Sequence, residues 1–325
     1  MVLEQWNCRM SPETAVLPSL PVISLAADAA SLPGALADSF GRFGFAMVAD
    51  HGIDAGLIAR AWDLTAQLFA LPDAEKRRWH VPGLGGARGY TPFGTEIAKG
   101  ASVFDLKEFW HVGRDLAPGH PLRASMPPNV WPDGLDHFAE TFRALYAAFD
   151  RVGARILAHL AVALDLPPDW FAPAITDGNS VLRLLHYPPI ADAPDGAIRA
   201  GAHEDINLIT LLLGAEEAGL ELRTRDGRWI AVTPPPGALA VNIGDMLQRL
   251  TNHRLPSTTH RVRNPAGARA GFSRYSMPYF LHLRSDFVIR TLPGCVDADH
   301  PDRYPEPITA DAYLHQRLRE IGLIP

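Results

Sequence analysis

The residues of this chain best placed to do chemistry are two histidines and an aspartate, His203, Asp205 and His260. Two imidazoles and one carboxylate can occupy one face of a ferrous ion and leave the opposite positions for a chelating acid and dioxygen. His203 and Asp205 are two apart, so in an extended segment both side chains project to one side, and Glu204 between them points away. His260 follows after 54 intervening residues, in Thr258-Thr259-His260-Arg261-Val262, and a closing roll of strands could bring it beside the first pair. Taken alone, the pair would read as a surface contact and His260 as an ordinary half-buried histidine, because short motifs recur by chance. The third donor and an arginine motif downstream favour a metal site. Zinc competes with iron for such a donor set.

That downstream motif is Arg274-Tyr275-Ser276. Arg274 and Ser276 would face one way on a strand, where a guanidinium fork can grip a carboxylate without losing its proton and a hydroxyl adds a further donor. The run Asn264 to Gly271 supplies turn residues, so the expectation is a hairpin that brings His260 and Arg274 to one pocket. Arg261, Arg263 and Arg269 read as members of surface ion pairs. His253 falls in a turn, His186 faces away from its neighbour Tyr187 on a strand, and His51 shapes a loop. Asp105, Lys107 and Glu108 read as a solvated or structural charge cluster.

The elements that must position these groups change character along the chain. Pro21 to Leu25 reads as a strand, Ala35 to Phe43 as a helix, Gly44 to Val48 as a second strand and Leu57 to Phe69 as a helix. Asp73 could cap a helix over Ala74 to Trp79. From Val81 to Pro132 the density of glycine and proline predicts a loop-dominated region. Phe138, Phe142, Leu145, Phe149, Val152, Ile156, Leu160 and Leu164 recur at steps of three or four, the apolar stripe of one long helix. After Asn179 come seven short β runs: Val181 to Tyr187, Leu208 to Leu213, Leu220 to Arg223, Trp229 to Val232, Ala238 to Ile243, Ser257 to Arg263 and Phe272 to Leu283. Closely spaced strands without intervening helices indicate a double-sheet sandwich or a jelly roll. The division expected is an N-terminal α/β region over residues 1–175, carrying the long helix, and a jelly-roll catalytic core with a C-terminal helix over residues 176–325.

Composition narrows the function classes. The chain has 325 residues, is 47% hydrophobic and 20% charged, and carries a net charge of −6, which provides no electrostatic footprint for nucleic acid or an anionic membrane. Met1 to Pro21 has no continuous apolar core and reads as neither signal peptide nor membrane span. The two cysteines, Cys8 and Cys295, lie near opposite ends and read as free thiols of a cytoplasmic protein. The expected partner is a small-molecule substrate, acted on by a monomer or homodimer.

With these motifs in place, the sequence resembles the iron(II)/2-oxoglutarate-dependent dioxygenases of the isopenicillin N synthase-like family. The likeness runs through Pro21-Val22-Ile23-Ser24-Leu25, Gly44-Phe45, His51-Gly52-Ile53 and Leu185-His186-Tyr187-Pro188-Pro189. It continues through the triad, Pro236-Gly237-Ala238-Leu239, Asn242-Ile243-Gly244-Asp245 and Arg274-Tyr275-Ser276-Met277-Pro278-Tyr279-Phe280. The resemblance implies a distorted jelly roll with flanking helices. It also implies that His203, Asp205 and His260 hold Fe(II), while Arg274, Ser276 and Tyr187 bind the distal carboxylate of 2-oxoglutarate. O2 would then turn the cosubstrate into succinate and CO2 and oxidise a C–H bond. Three departures stand out: Glu204 replaces a common threonine, Leu185 a common asparagine, and the link from His260 to Arg274 is long. The substrate is not specified. Tyr90, Phe93, Phe109, Trp110 and Phe280 are candidate pocket residues, with aromatic core as the competing reading. An iron oxidase that does not use 2-oxoglutarate, a non-catalytic receptor on the same fold and a zinc hydrolase are the alternatives.

Overall fold

Val, Ile, Leu and aromatic residues are concentrated in the strands that end up in the middle of the fold, because a strand covered on both faces must be apolar nearly throughout. In the computed structural model, which describes residues 19–84, 86–95, 104–190, 198–214, 219–265 and 267–320, these segments meet in one large sheet. In chain order the elements are β1 (Val22–Ser24), α1 (Leu32–Phe43), β2 (Phe45–Ala49), α2 (Ala55–Ala70), α3 (Asp73–Lys76), β3 (Gly89–Thr91) and β4 (Glu108–Gly113). Next come α4 (Phe138–Ala163), α5 (Ala172–Ile175), β5 (Val181–Tyr187), β6 (Ala200–His203), β7 (Ile209–Leu213), β8 (Leu220–Arg223), β9 (Trp229–Ala231) and β10 (Leu239–Ile243). The last are α6 (Asp245–Leu250), β11 (His260–Val262), β12 (Arg274–Leu281), β13 (Val288–Ile289), β14 (Ile308–Thr309) and α7 (Ala310–Glu320).

Eight strands form a sheet in the order β1-β2-β10-β7-β12-β5-β4-β3, and four form a second in the order β6-β11-β8-β9. Between them lies an apolar layer in which Phe45, Phe109, Leu185 and Ala240 of the large sheet meet Leu220, Leu222, Ile230 and Val262 of the small one. This is a double-sheet jelly roll. The reverse face of the large sheet carries the main core, where α4 lays Phe142, Leu145, Phe149, Val152 and Ile156 against Leu211, Tyr279 and Leu281. Burying each of these side chains is worth roughly 1.5–3 kcal/mol. The stripe read from the sequence is thus the face by which one helix of 26 residues fastens the sheet.

Three expectations change. The segment from Val81 to Pro132 contributes β3 and β4, and β4 pairs antiparallel with β5 along its whole length. The glycine and proline density hid a fully buried strand, Glu108–Gly113. Asp73 is the first residue of α3, behind Pro72, and its carboxylate accepts from Arg77 Nε at 2.5 Å. Most consequentially, β11 and β12 do not form a hairpin. β11 pairs with β6 and β8 in the small sheet, β12 with β5 and β7 in the large one, so the link between them crosses the roll.

The Gly44-Phe45 motif has a steric cause. Gly44 ends α1 with φ +68°, and a Cβ there would lie 2.1 Å from Thr258 Oγ1 and 2.6 Å from Pro256 O. The segment leading to His260 therefore runs over a glycine because nothing larger fits. We predict that Gly44→Ala lowers stability by about 2–5 kcal/mol, combining a left-handed backbone penalty with overpacking. Gly34→Ala, in α1 with nothing within 4 Å of its Cβ position, should be neutral or stabilising. Urea unfolding of the two variants side by side checks this.

Candidate iron and cosubstrate site

The three donors converge from separate routes. His203 closes β6 and stands directly opposite His260 at the start of β11, with ring centroids 4.4 Å apart. Asp205 lies just beyond β6, where Thr210 of β7 and Asn242 of β10 hold it: Oδ2 accepts from Thr210 Oγ1 at 2.6 Å and from Asn242 Nδ2 at 2.8 Å. Oδ1 then lies 3.8 Å from His203 Nε2, and Oδ2 lies 3.9 Å from His260 Nε2. These separations are too long for hydrogen bonds. One donor atom from each residue falls within 4.8 Å of the others, and among the described residues this is the group that could hold a metal ion.

Proton placement fits a cation at the centre. His203 Nδ1 meets the Gly201 carbonyl at 2.7 Å and His260 Nδ1 meets the Thr258 carbonyl at 3.1 Å. A carbonyl can only accept, so in each ring Nδ1 is the donor, which leaves Nε2 as the atom turned toward Asp205 and able to meet a cation. Burial pushes the Asp205 carboxyl up. The His260 and His203 rings, with the Thr210 and Asn242 hydrogen bonds, outweigh that and hold it below the usual carboxylate range. Two nitrogen lone pairs and a carboxylate suit a borderline divalent ion such as Fe(II).

A second cluster shares the inter-sheet space. Arg274 pairs in register with Tyr187 and Ser276 with Leu185, and all four are buried. Tyr187 and Leu185 belong to the layer between the sheets, so strand alternation turns Arg274 and Ser276 to the same side. The Arg274 guanidinium lies 5.1 Å from the Tyr187 ring centroid. Phe45 links this floor to the triad by meeting the His260 ring edge-on at 5.5 Å.

Comparison with known proteins matches this geometry. Residues 20–134 match the model described as the non-haem dioxygenase in morphine synthesis N-terminal region, and residues 178–283 match the 2OG-Fe(II) oxygenase superfamily. A 2-oxoglutarate-Fe(II) type oxidoreductase of Emericella nidulans is 34% identical over 278 residues, covering 82% of this chain and 78% of that one. The chain belongs to the 2OG-Fe(II) oxygenase family. A solved protein from Caulobacter crescentus, described as of the 2OG-Fe(II) oxygenase family, is 53% identical, with a TM-score of 0.88 over 94% of this chain and 99% of that one. A Neurospora crassa protein solved in complex with alpha-KG (2-oxoglutarate) and thymine is 28% identical with a TM-score of 0.81, covering 92% of this chain and 96% of that one. The protein is an Fe(II)- and 2-oxoglutarate-dependent dioxygenase that uses O2, which sets aside the receptor, the zinc hydrolase and the oxidase without 2-oxoglutarate. Among the described residues no helix is long and apolar enough to cross a membrane.

The structure sorts the oxygenase's other candidates. Phe109 and Phe280 lie on the inner face of the large sheet, flanking the Arg183 guanidinium at 4.2 and 5.3 Å. Tyr90 and Trp110 do not: the alternation that brings Phe109 inward turns them to the reverse face, where Trp110 packs on Trp79 and Phe138. Phe93 is 40% exposed and meets Phe104 edge-on. His253 contacts Tyr304, and His51 accepts from Ile53 N within its own loop while its Nε2 meets Gly237 O of the turn before β10. Arg261 and Arg263 pair with Glu221. Cys295 is buried and free, whereas Cys8 lies outside the described residues.

Asp105, Lys107 and Glu108 are buried rather than solvated, and Asp105 accepts from Gly201 N at the free edge of β6. Thr210 and Asn242 were not singled out from the sequence as partners of Asp205. The alternation of β7 and β10, which places both on the inner face, was the available signal. Because such partners orient a ligand, Thr210→Val and Asn242→Leu should each weaken Fe(II) binding about 10- to 100-fold, measured by anaerobic titration.

Proposed function

We propose that this oxygenase hydroxylates an unactivated C–H bond of a small organic molecule. In this reading His203, Asp205 and His260 hold the iron, and Arg274, Ser276 and Tyr187 bind the distal carboxylate of 2-oxoglutarate. The observation that carries it is the convergence, within one layer between two sheets, of a three-donor cation site and a buried guanidinium. The relatives support a small substrate: one is a proline hydroxylase of Petromyces alliaceus, 35% identical over 294 residues, and the Neurospora crassa protein was solved with thymine.

Each residue has a distinct task. When bound, ferrous iron together with 2-oxoglutarate and O2 supplies the oxidising power for the C–H bond, and the cosubstrate leaves as succinate and CO2. With Fe(II) held by two imidazole nitrogens and a single carboxylate, the site would keep net positive charge for an anionic cosubstrate. Arg274 offers a bidentate fork that stays protonated, and Ser276 and Tyr187 offer hydroxyls beside it. Phe45, Phe109 and Leu185 give this space an apolar wall, which favours a dry reacting centre once substrate is bound. Phe109 and Phe280, on the same face, form the surface over which we place the substrate.

O2-dependent succinate release should require Fe(II) and 2-oxoglutarate and disappear in His203→Ala and His260→Ala; full activity in either variant would refute the ligand assignment. Arg274→Leu should raise the KM for 2-oxoglutarate about 10- to 100-fold, as expected for losing hydrogen bonds to a charged group, and leave Fe(II) affinity unchanged. An unaltered KM would remove Arg274 from the site. Small metabolites, amino acids and pyrimidines first, can be screened for stimulated succinate release, with mass spectrometry of the product. Gain of one oxygen atom supports hydroxylation, and loss of two hydrogens overturns it.

A further inference from the structure

Glu204 stands between two metal donors yet takes no part in the site as described so far. His203 and His260 face each other directly across β6 and β11, and their chain neighbours Glu204 and Thr259 stand just past the end of the pair. There the Thr259 hydroxyl donates to Glu204 Oε1. Thr259 is itself fixed, because its carbonyl accepts from Arg223 N at 2.8 Å at the end of β8.

The backbone alone specifies this pairing weakly. β6 is the edge of its sheet, and its sequence Ala-Gly-Ala-His has little intrinsic preference for a strand. Its ladder to β11 shifts register between the His260↔His203 and Val262↔Ala200 pairs, immediately beside the ligands. A short edge strand with a broken ladder can slide, and sliding would separate His203 from His260. We infer that Glu204 and Thr259 form a side-chain tie at the end of this strand pair, which sets the spacing of the adjoining metal donors. Glu204 is in this sense a positioning residue. The inference rests on the reading of His203, Asp205 and His260 as iron ligands.

What acts is the hydrogen bond, so an uncharged acceptor of the same shape should replace the carboxylate. Co(II) affinity of the metal-free protein, followed by its visible absorption, is the readout, alongside the melting temperature without metal. Glu204→Ala and Thr259→Val should each weaken Co(II) binding about ten-fold, the lower range for groups that orient metal ligands. The double variant should lose no more than either single one, and Glu204→Gln should bind within about two-fold of the parent. A purely stabilising contact would lower the melting temperature while leaving affinity and the Co(II) spectrum unchanged, which overturns the tie. Equal losses in Glu204→Gln and Glu204→Ala overturn it in favour of charge. Should Glu204→Ala fail to fold, Thr259→Val breaks the same bond from the other strand, and unchanged affinity there overturns the proposal. His260→Ala separates the two levels. If it abolishes Co(II) binding while the tie variants bind normally, the tie alone is wrong; if it binds like the parent, the ligand reading falls and the tie with it.

Discussion

A carboxylate buried between two imidazoles is the constraint on which the rest of this structure depends. An ionised group removed from water is costly unless its lone pairs and its charge are answered. Asp205 has Oδ2 answered by Thr210 and Asn242, and the His260 and His203 rings beside it offset the cost of burying its charge. Those partners sit on β7 and β10, in the large sheet, while the imidazoles sit on β6 and β11, in the small one. The site therefore exists only when the two sheets close on each other. Closure of the roll is what brings the three candidate donors together.

Strand alternation then divides polar chemistry between the two faces of the large sheet. On the inner face stand Arg274, Ser276 and Tyr187. On the reverse face of the same sheet, Glu108 of β4 accepts from Lys76 Nζ and His186 Nδ1, each at 2.7 Å, and from the Tyr90 hydroxyl. Burial pushes the Glu108 carboxyl up, but these three hydrogen bonds, led by that from His186, hold it below its ordinary value. His186 Nε2 meets Ser273 Oγ at 2.9 Å, and its ring stacks on Tyr275 and Phe69. His186 and Tyr187 are neighbours, as are Ser273 and Arg274, so the buried cluster behind the sheet grips the strand ends that carry Tyr187 and Arg274, the proposed cosubstrate anchors. Removing one partner from such a cluster typically costs about 3–5 kcal/mol, because it strands a buried charge.

Part of this was legible without coordinates. The stripe of α4, the strands β5, β8 and β12, and the pairing of residue types in His203-Glu204-Asp205 and Arg274-Tyr275-Ser276 all follow from periodicity and side-chain chemistry. β6 was not legible, because an Ala-Gly-Ala segment lacks the branched and aromatic residues by which strands are recognised. β3 and β4 were masked by surrounding glycine and proline. Tyr90 and Trp110 could not be told from pocket residues, since aromatic character says nothing about which side of a strand faces the site until the pairing of β4 with β5 is known.

The sequence by itself determined the chemistry available: the donor types, the arginine fork, and the two-residue spacing that puts His203 beside Asp205 and Arg274 beside Ser276. Those are local properties, set by covalent order and the pleat of a strand. Only the tertiary structure decided that His260 meets His203 across a strand pair, that the chain from His260 to Arg274 crosses the roll, and that Glu204 grips Thr259. Glu204 and Thr259 are 55 positions apart, and the register of such contacts is chosen by the burial of whole sheet faces, which no short stretch of sequence encodes.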